Sequence, residues 1–294
     1  MSTVDHAWVV ILAAGDGSRL APLTVDSTGT AVPKQYCSFN GGSSLLEEAI
    51  SRACSLVPPE RVCVVVAGKH HVYWLPMLAD IPLVNVFAQP ENRGTANGIL
   101  LATLVITDSD PQSNILFMPA DHYAADEKKF RDALSRTMRA GNSSRQHFSV
   151  LAMEPEEPDP EFSYIVPGSA CDDGTWMAER FVETPEKEVA ATLLAKGALW
   201  NTFIFSATGS LLYRTFRRMS PDIVFSMEKA LFANGLERSR AIELQAAYKD
   251  FPAIDFSNDV LQGREHTIRI IRAAACGWTD LGTPQRMMTR ARTT

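Results

Sequence analysis

The sequence predicts an α/β protein in three layers, with a central, mostly parallel mixed sheet covered by helices on both faces. Four short β-rich runs, at residues 8–12, 61–68, 114–121 and 148–154, alternate with helical patterns. Three of these runs are almost continuously apolar, which is typical of strands buried on both faces. Because such strands alternate with helices, the first half of the chain is expected to form an open, mostly parallel sheet.

The helices of the first half are indicated by their capping residues and apolar patterns. Ser44 and Glu47 have the spacing of a capping box, so a helix is expected to begin directly after Ser44. Residues 95–107 have the pattern of a buried helix, and Asp126 is placed to cap the helix that follows it.

The pattern is looser after residue 154. The Pro-rich acidic segment 154–162 predicts a surface loop, and strands are expected near Tyr164 and Phe181. Further helices are predicted at residues 186–196, 210–219, 222–233 and 237–249, then a strand at 267–275 and a short final helix. Since the sequence shows no repeat and no low-complexity linker, residues 1–294 are expected to form a single domain of two lobes.

Composition and charge exclude several classes of protein. Of the 294 residues, 46% are hydrophobic and 21% charged, which is typical of a globular protein rather than a disordered, collagenous or coiled-coil one. The 28 Lys+Arg and 34 Asp+Glu give a net charge of -6, so no overall positive field favours nucleic acid or a membrane surface as partner.

The cysteines and the apolar segments indicate a cytoplasmic protein. The five cysteines are far apart and form no CxxC pair, so neither a zinc site nor a disulfide framework is expected. The apolar run 7–14 is interpreted as a buried strand rather than a signal peptide. No apolar stretch approaches the ~20 residues of a membrane helix.

The strongest chemical signal follows the first strand. This segment is rich in small residues, whose backbone N–H groups can approach phosphate oxygens, and its arginine can add a bidentate contact. It comprises Leu12, Ala13, Ala14, Gly15, Asp16, Gly17, Ser18 and Arg19. The segment matches neither GxGxxG nor GxxxxGK[ST], so it predicts a phosphate site of another kind. A plain strand-to-helix turn with a surface arginine is the alternative.

Two further segments add a cation and a carboxylate. Lys34, in Pro-Lys-Gln, follows at a distance from which its ammonium can return to the same phosphates. Asp121 ends an apolar strand, at the sheet edge where α/β proteins bind ligands, and is well placed for a metal ion. Each of these two residues also has an interpretation without a ligand. Lys34 would then be a solvated surface lysine, and Asp121 would cap a helix, as aspartates at strand ends often do. His122 is interpreted as structural.

Taken together, the segments resemble the sugar-nucleotide pyrophosphorylase (nucleotidyltransferase) family, most closely its mannose-1-phosphate guanylyltransferase branch. Seven segments occur in the order of that family: LAAGDGSRLAPLT, PKQ, QPENRGTA, PADH, FVETP, LWNTFIF and GWTDLGT. The resemblance implies a Rossmann-like nucleotidyltransferase fold, with a nucleotide-binding half at 1–124 and a sugar-phosphate half at 125–294.

The resemblance also implies a role for each matching residue. Arg19, Lys34, Asp121 and Asp280 would be catalytic, with Asp121 and Asp280 holding Mg²⁺ as cofactor, an ion that prefers oxygen ligands. The nucleotide would be bound by Leu12 to Arg19, Lys34, Asn92, Arg93, Gly94 and Thr95. The sugar phosphate would be bound by Tyr164, Glu183, Thr184, Asn201 and Asp259.

The implied reaction joins a nucleoside triphosphate to a sugar 1-phosphate and releases pyrophosphate. GTP and mannose 1-phosphate are the favoured substrates, and a homodimer is left open. Two alternatives stay open as well: a pyrophosphorylase that uses another hexose such as glucose 1-phosphate, or a regulatory paralogue that binds the substrates with weakened turnover.

Several positions depart from the family pattern. Thr184 stands where the family usually has a lysine that meets the sugar phosphate, and Lys187 lies three residues further on. Ala21 stands in place of a tryptophan, and Phe203 where a glycine is frequent. The segment 255–260 carries what looks like two extra residues.

Overall fold

The computed structural model describes residues 6–25, 29–39, 41–232 and 237–291. The strands are β1 (Ala7–Ala13), β2 (Val62–Ala67), β3 (Val86–Gln89), β4 (Asn114–Pro119), β5 (Tyr123–Ala124), β6 (Phe148–Met153), β7 (Tyr164–Ala170), β8 (Trp176–Val182), β9 (Leu199–Thr208), β10 (Ile268–Arg272) and β11 (Trp278–Thr279). The α-helices are α1 (Leu45–Cys54), α2 (His71–Met77), α3 (Thr95–Ser109), α4 (Glu127–Ser143), α5 (Lys187–Ala195), α6 (Gly209–Met219), α7 (Pro221–Phe232), α8 (Glu237–Asp250) and α9 (Pro284–Ala291).

One nine-stranded sheet joins strands from both halves of the chain, in the order β3-β2-β1-β4-β9-β6-β10-β8-β7. Neighbours are parallel in β3–β2, β2–β1, β1–β4 and β6–β10. Strand β9 is antiparallel to β4 and β6, and β8 is antiparallel to β10 and β7. Seven of the nine strands therefore point the same way, which confirms the predicted mostly parallel mixed sheet.

Helices pack on both faces of the sheet because its central strands are apolar on both sides. Val10 of β1 packs with α3 and α6 on one face, whereas Val9 and Ile11 pack with α1 and α4 on the other. All three side chains are fully buried. This alternation along a strand produces the three predicted layers.

The predicted caps form as the sequence indicates. The backbone N–H of Ser44 donates to the Glu47 carboxylate at 2.7 Å, and the Ser44 hydroxyl accepts from the Glu47 N–H at 3.3 Å. Asp126 caps α4 by accepting from the backbone of Lys129. In the part of the chain that the structure describes, no helix is both long enough and apolar enough to cross a bilayer.

Candidate active site

A cavity of about 200 Å³ opens where the parallel strands β1 and β4 end. Its lining comes from the glycine-rich segment, the Pro-Lys-Gln segment, the end of β4 and the turn after β11. The lining residues are Gly15, Gly17, Leu20, Lys34, Gln35, Asp121 and Gly282. Four segments that lie far apart in the sequence therefore meet at one edge of the sheet, where open α/β sheets bind ligands.

The glycine-rich segment is packed closely against the Pro-Lys-Gln segment. Gly17 has a φ of +64°, and a Cβ there would lie 3.1 Å from both the Pro33 Cα and the Lys34 nitrogen. The Gln35 amide donates to the carbonyl oxygens of Ala13 and Gly15, at 3.0 and 2.7 Å. Glycine at 17 thus satisfies both the backbone conformation and the close approach.

Two predicted site residues of this segment, Ser18 and Arg19, have side chains outside the described part of the structure. The bidentate contact from Arg19 therefore stays a prediction.

Lys34 connects two distant segments at the cavity. Its Nζ forms an ion pair with Asp121 Oδ2 at 3.0 Å and donates to the carbonyl oxygens of Asp280 and Leu281, at 2.9 and 3.3 Å. Burial acts to raise the pKa of Asp121, but the charge and the hydrogen bond of Lys34 act against it, and this pKa lies below its ordinary value. Asp121 is therefore ionised near neutral pH.

The carboxylate of Asp280 lies on the same side of the sheet. Its Oδ1 accepts from the Gly282 N–H at 2.9 Å and pairs with Arg286 Nη1 at 2.9 Å. Lys34 Nζ contacts both the Asp121 carboxylate and the backbone oxygen of Asp280, so the two residues border the same lysine. The described residues contain no group of three or more His, Cys, Asp or Glu side chains that could hold a metal ion. Two carboxylates fit Mg²⁺ when substrate oxygens and water supply the remaining ligands.

His122 is buried beside a tryptophan. Burial lowers its pKa to about 4, so the ring is neutral near pH 7. Trp278 Nε1 lies 3.3 Å from His122 Nδ1 and packs edge-on against the ring. The His122 ring is thus engaged by a neighbouring tryptophan.

A buried arginine supports the loop that carries Asp121. The Arg52 side chain is 1% exposed, and its Nε and Nη2 bind the two oxygens of Glu127 at 3.0 and 2.7 Å. Its Nη1 lies 3.4 Å from the backbone oxygen of His122, to which it donates. Sequence reasoning did not identify Arg52, because nothing in its pattern distinguishes it from other polar helix residues.

The base-side segment 92–97 is joined to residues 252–256. Gly94 has a φ of +82°, and a Cβ there would lie 2.2 Å from the backbone oxygen of Ile254. The Thr95 hydroxyl donates to Asp255 Oδ2 at 3.2 Å and accepts from the Phe256 N–H at 2.8 Å. Arg93 contacts Glu91 and the backbone oxygen of Lys249, on the side of α8.

The glycine-rich and base-side segments also touch each other. Asn92 Nδ2 donates to Asp16 Oδ2 at 3.3 Å, and Lys69 Nζ pairs with Asp16 Oδ1 at 2.7 Å. Burial acts to raise the pKa of Asp16, but the contacts with Lys69 and Asn92 outweigh it and lower this pKa. Two of the predicted nucleotide-binding residues, Asp16 and Asn92, are therefore in direct contact.

The predicted sugar side contains a buried carboxylate. Burial raises the pKa of Glu183, and the charge of Asp255 raises it further. Glu183 Oε2 is buried and has no hydrogen-bond partner among the described residues. A buried polar atom of this kind requires an explanation, and a bound hydroxyl group would supply one. Asn201 is also buried, and its Oδ1 accepts from the Phe203 N–H at 3.1 Å.

Backbone strain concentrates in three of the segments that resemble the family. Within the described residues, the non-glycine residues with positive φ are Thr184 (+34°), Phe203 (+58°) and Leu281 (+51°). Phe203 lies where the pairing of β9 with β6 changes register, between Asn201 and Ile204. This bulge explains why glycine is frequent at that position, since glycine adopts positive φ without steric cost. Strained residues often mark functional sites.

Two predicted sugar-phosphate residues, Tyr164 and Asp259, have side chains that contact the backbone. The Tyr164 ring is fully buried and its hydroxyl donates to the backbone oxygen of Asp159 at 3.0 Å, so the structure does not bring this side chain into the cleft. The Asp259 carboxylate accepts from the backbone N–H of Asp255 at 2.7 Å. Asp255, which sequence reasoning missed, is the carboxylate that contacts Thr95 and acts on Glu183.

The fold and the cavity define an α/β protein with a candidate ligand site at the carboxyl ends of its parallel strands. Residues 8–294 match the family described as Nucleotidyl transferase, and the chain belongs to this family. It is 25% identical to mannose-1-phosphate guanylyltransferase 2 of Escherichia coli O157:H7, over 94% of this chain and 58% of that protein. It is 27% identical to mannose-1-phosphate guanylyltransferase RfbM of Salmonella typhimurium, over 93% of this chain and 56% of that protein. The chain thus spans somewhat more than half the length of these relatives.

Solved structures agree with this assignment. A structure from Thermus thermophilus, described as a mannose-1-phosphate geranyltransferase, matches with a TM-score of 0.83 and 26% identity, over 98% of this chain and 80% of that one. A UDP-glucose pyrophosphorylase complexed with UDP-glucose shares the fold, with a TM-score of 0.60, 14% identity and coverage of 98% and 97% of the two chains.

Proposed function

We propose that this protein transfers a nucleotidyl group from a nucleoside triphosphate to a sugar 1-phosphate, with GTP and mannose 1-phosphate as its substrates. The observation that carries the proposal is the contact of one ammonium, that of Lys34, with both Asp121 and the Asp280 turn. This contact joins the Asp121 carboxylate and the backbone of the Asp280 turn to the glycine-rich cavity. The names of the relatives favour GDP-mannose as the product.

The chemistry needs alignment and charge neutralisation rather than a covalent intermediate. An oxygen of the sugar 1-phosphate attacks the α-phosphorus in line, a new P–O bond forms, and the bond to the pyrophosphate leaving group breaks. The attacking phosphate is already close to a dianion near pH 7, so no general base is required. Backbone N–H groups of residues 15–18, with Lys34, hold the triphosphate and neutralise its charge.

Asp121 and Asp280 would hold Mg²⁺, which would supply positive charge at the α-phosphate and orient the two phosphate groups. Glu183 and Asn201 bind hydroxyl groups of the sugar. Because the position of the usual family lysine is occupied by Thr184, the sugar phosphate receives less positive charge from the FVETP segment than in the family pattern. We therefore expect the protein to bind the sugar phosphate more weakly than the nucleotide.

The test is a pyrophosphate-release assay with five nucleotides (GTP, ATP, UTP, CTP and dTTP) and three sugars (mannose, glucose and galactose 1-phosphates). We expect Mg²⁺-dependent release that is fastest with GTP and mannose 1-phosphate. Preference for glucose 1-phosphate would instead identify another hexose pyrophosphorylase. Tight binding of nucleotide and sugar phosphate without release of pyrophosphate in any combination would identify a regulatory paralogue. This second candidate is favoured by Thr184, which stands where the family usually has a lysine.

The cellular setting belongs to the same proposal. The five cysteines form no disulfide in the structure, which supports a reducing compartment such as the cytoplasm. A homodimer is proposed as the assembly, and light scattering of the purified protein measures it.

A further inference from the structure

The carboxylate of Asp280 is held by the protein through one of its two oxygens, Oδ1. Oδ1 takes both contacts, the Gly282 N–H and Arg286 Nη1, each at 2.9 Å. Oδ2 lies beside Gly282, where a Cβ would approach it to 2.7 Å. Gly282 lines the cavity that contains Lys34 and Asp121, so the Asp280 carboxylate lies beside that cavity, and Oδ1 is the oxygen already engaged by Gly282 and Arg286.

Arg286 is itself fixed on several sides. Its guanidinium carbon lies 4.2 Å from the centroid of the Phe162 ring, a distance typical of a cation–π contact. Its Nε donates to the Thr283 hydroxyl at 3.2 Å, and its Nη1 lies 3.9 Å from Asp159. The side chain is 15% exposed. Neither Nη1 nor Nη2 makes a hydrogen bond within the described residues, so Arg286 acts on Asp280 Oδ1 as the fixed cation of an ion pair.

Arg286 also borders a second cavity, of about 350 Å³. Phe162, Trp200 and Trp278 provide aromatic walls there. This cavity shares no lining residue with the first one. Arg286 therefore borders a cavity separate from the one that contains Lys34 and Asp121, and a small solute can reach the position of its guanidinium through that second cavity.

We propose that Arg286 is a positioning residue, which binds Asp280 Oδ1 and so directs Oδ2 to the metal ion between the substrates. The inference rests on the proposed function, because it assumes that Asp280 binds metal. Nothing in the sequence identified Arg286, which lies six residues after Asp280 on α9. Its effect is expected on metal affinity, because its guanidinium pairs with Asp280 and lines the second cavity rather than the first.

The test measures Mn²⁺, which shares the oxygen preference of Mg²⁺ and is visible by electron paramagnetic resonance. The affinity of the protein for Mn²⁺ is determined with GTP bound and no sugar phosphate, so that no turnover occurs. Arg286→Ala is expected to weaken Mn²⁺ binding at least fivefold. Arg269→Ala is the matched control, because Arg269 also pairs with an aspartate, at 2.8 Å, but lies on β10. It is expected to leave Mn²⁺ affinity unchanged.

Rescue by a free solute separates positioning from general stability. Guanidinium at about 20 mM is expected to restore most of the Mn²⁺ affinity of Arg286→Ala, by entering through the second cavity. Urea at the same concentration, which has a similar planar shape but no charge, is expected to have no effect. If Arg286→Ala does not fold, Arg286→Gln, which retains donor groups without charge, is measured instead and is expected to lose affinity by a similar factor.

The outcomes distinguish the inference from the proposed function. Mn²⁺ affinity of the Arg286 variant equal to that of wild type overturns the inference alone. Tighter Mn²⁺ binding also overturns it, because Arg286 would then compete with the metal. If wild-type protein with GTP bound shows no site weakened by Asp280→Asn, the metal role of Asp280 fails, and the proposed function must be revised first.

Discussion

Replacing Lys34 by methionine tests the electrostatic centre of the site. The Lys34 side chain is 12% exposed, and its Nζ lies 3.0 Å from Asp121 Oδ2. At that distance the gross attraction is about 5.5 kcal/mol for an effective dielectric constant of 20. Removing one partner of a buried pair usually costs about 3–5 kcal/mol, because the other charge is left without a partner.

For Lys34→Met we expect a loss in the free energy of unfolding at the lower end of the range of about 3–5 kcal/mol. Asp121 is 29% exposed, so water recovers part of the lost stabilisation. We expect the free energy of unfolding to fall by about 3 kcal/mol, measured by urea titration with tryptophan fluorescence. Lys187→Met is the matched control, because Lys187 is exposed on α5, and it is expected to change stability by less than about 0.5 kcal/mol.

The pH dependence has a definite sign. In wild type the pKa of Asp121 lies below its ordinary value, so its stabilising contribution is present above pH ~4 and is lost as the pH falls. In Lys34→Met the ammonium is absent, so burial raises the pKa of Asp121. Acid then protonates the Asp121 carboxyl in the folded protein and removes the cost of a buried, unpaired charge. The stability gap between the two proteins should therefore narrow from pH 7.5 to pH 4.5. A difference in the free energy of unfolding that stays constant with pH would refute the reasoning. The same conclusion would follow if adding Asp121→Asn to Lys34→Met restored none of the lost stability.

Three further substitutions test local features of the site. The Phe203→Gly variant should be more stable than Phe203→Ala by about 1 kcal/mol in urea unfolding, because the φ of residue 203 is +58°. A Phe203→Ala variant that is the more stable of the two would contradict the bulge assignment. Gly94→Ala should destabilise the fold and raise the KM for nucleotide, because its Cβ would meet the Ile254 oxygen, whereas Gly15→Ala, with open space around it, should keep wild-type stability. Thr184→Lys should raise kcat/KM for sugar 1-phosphate by a factor that corresponds to about 1 kcal/mol, with little change for nucleotide. Unchanged sugar-phosphate kinetics would show that the FVETP segment does not lie beside that phosphate.

Much of the fold could be predicted because its signals are local. The apolar run of β1 and the capping box at Ser44 depend on neighbouring residues alone, and both appear as expected. Strand β3 and helix α2 were missed, because four and seven residues are too short for a clear periodic pattern. The position of β9 between β4 and β6 could not be foreseen, since it depends on contacts between distant parts of the chain.

The site shows the same division. The segments that contain Lys34, Asp121 and Asp280 were identified from the sequence, and the structure brings them together. Their partners were not identified, because Arg286 and Asp255 have no motif of their own and acquire their contacts only through tertiary packing. Tyr164 was assigned by its position in a segment, but its ring lies in the core. Which face of a strand a side chain occupies depends on a register that the motif alone does not contain.

In the proposed function, Asp121 and Asp280 act together in a metal-dependent transfer. The most direct measurement is the steady-state rate of pyrophosphate release by Asp121→Asn and Asp280→Asn at saturating Mg²⁺, with folding verified by circular dichroism. Each substitution keeps side-chain volume and removes one negative charge from the metal site, so we expect turnover to fall at least 100-fold, about 2.7 kcal/mol in transition-state stabilisation, with the fold intact. Near-normal turnover of either folded variant would contradict the account, because that carboxylate could not then be a ligand of the catalytic metal.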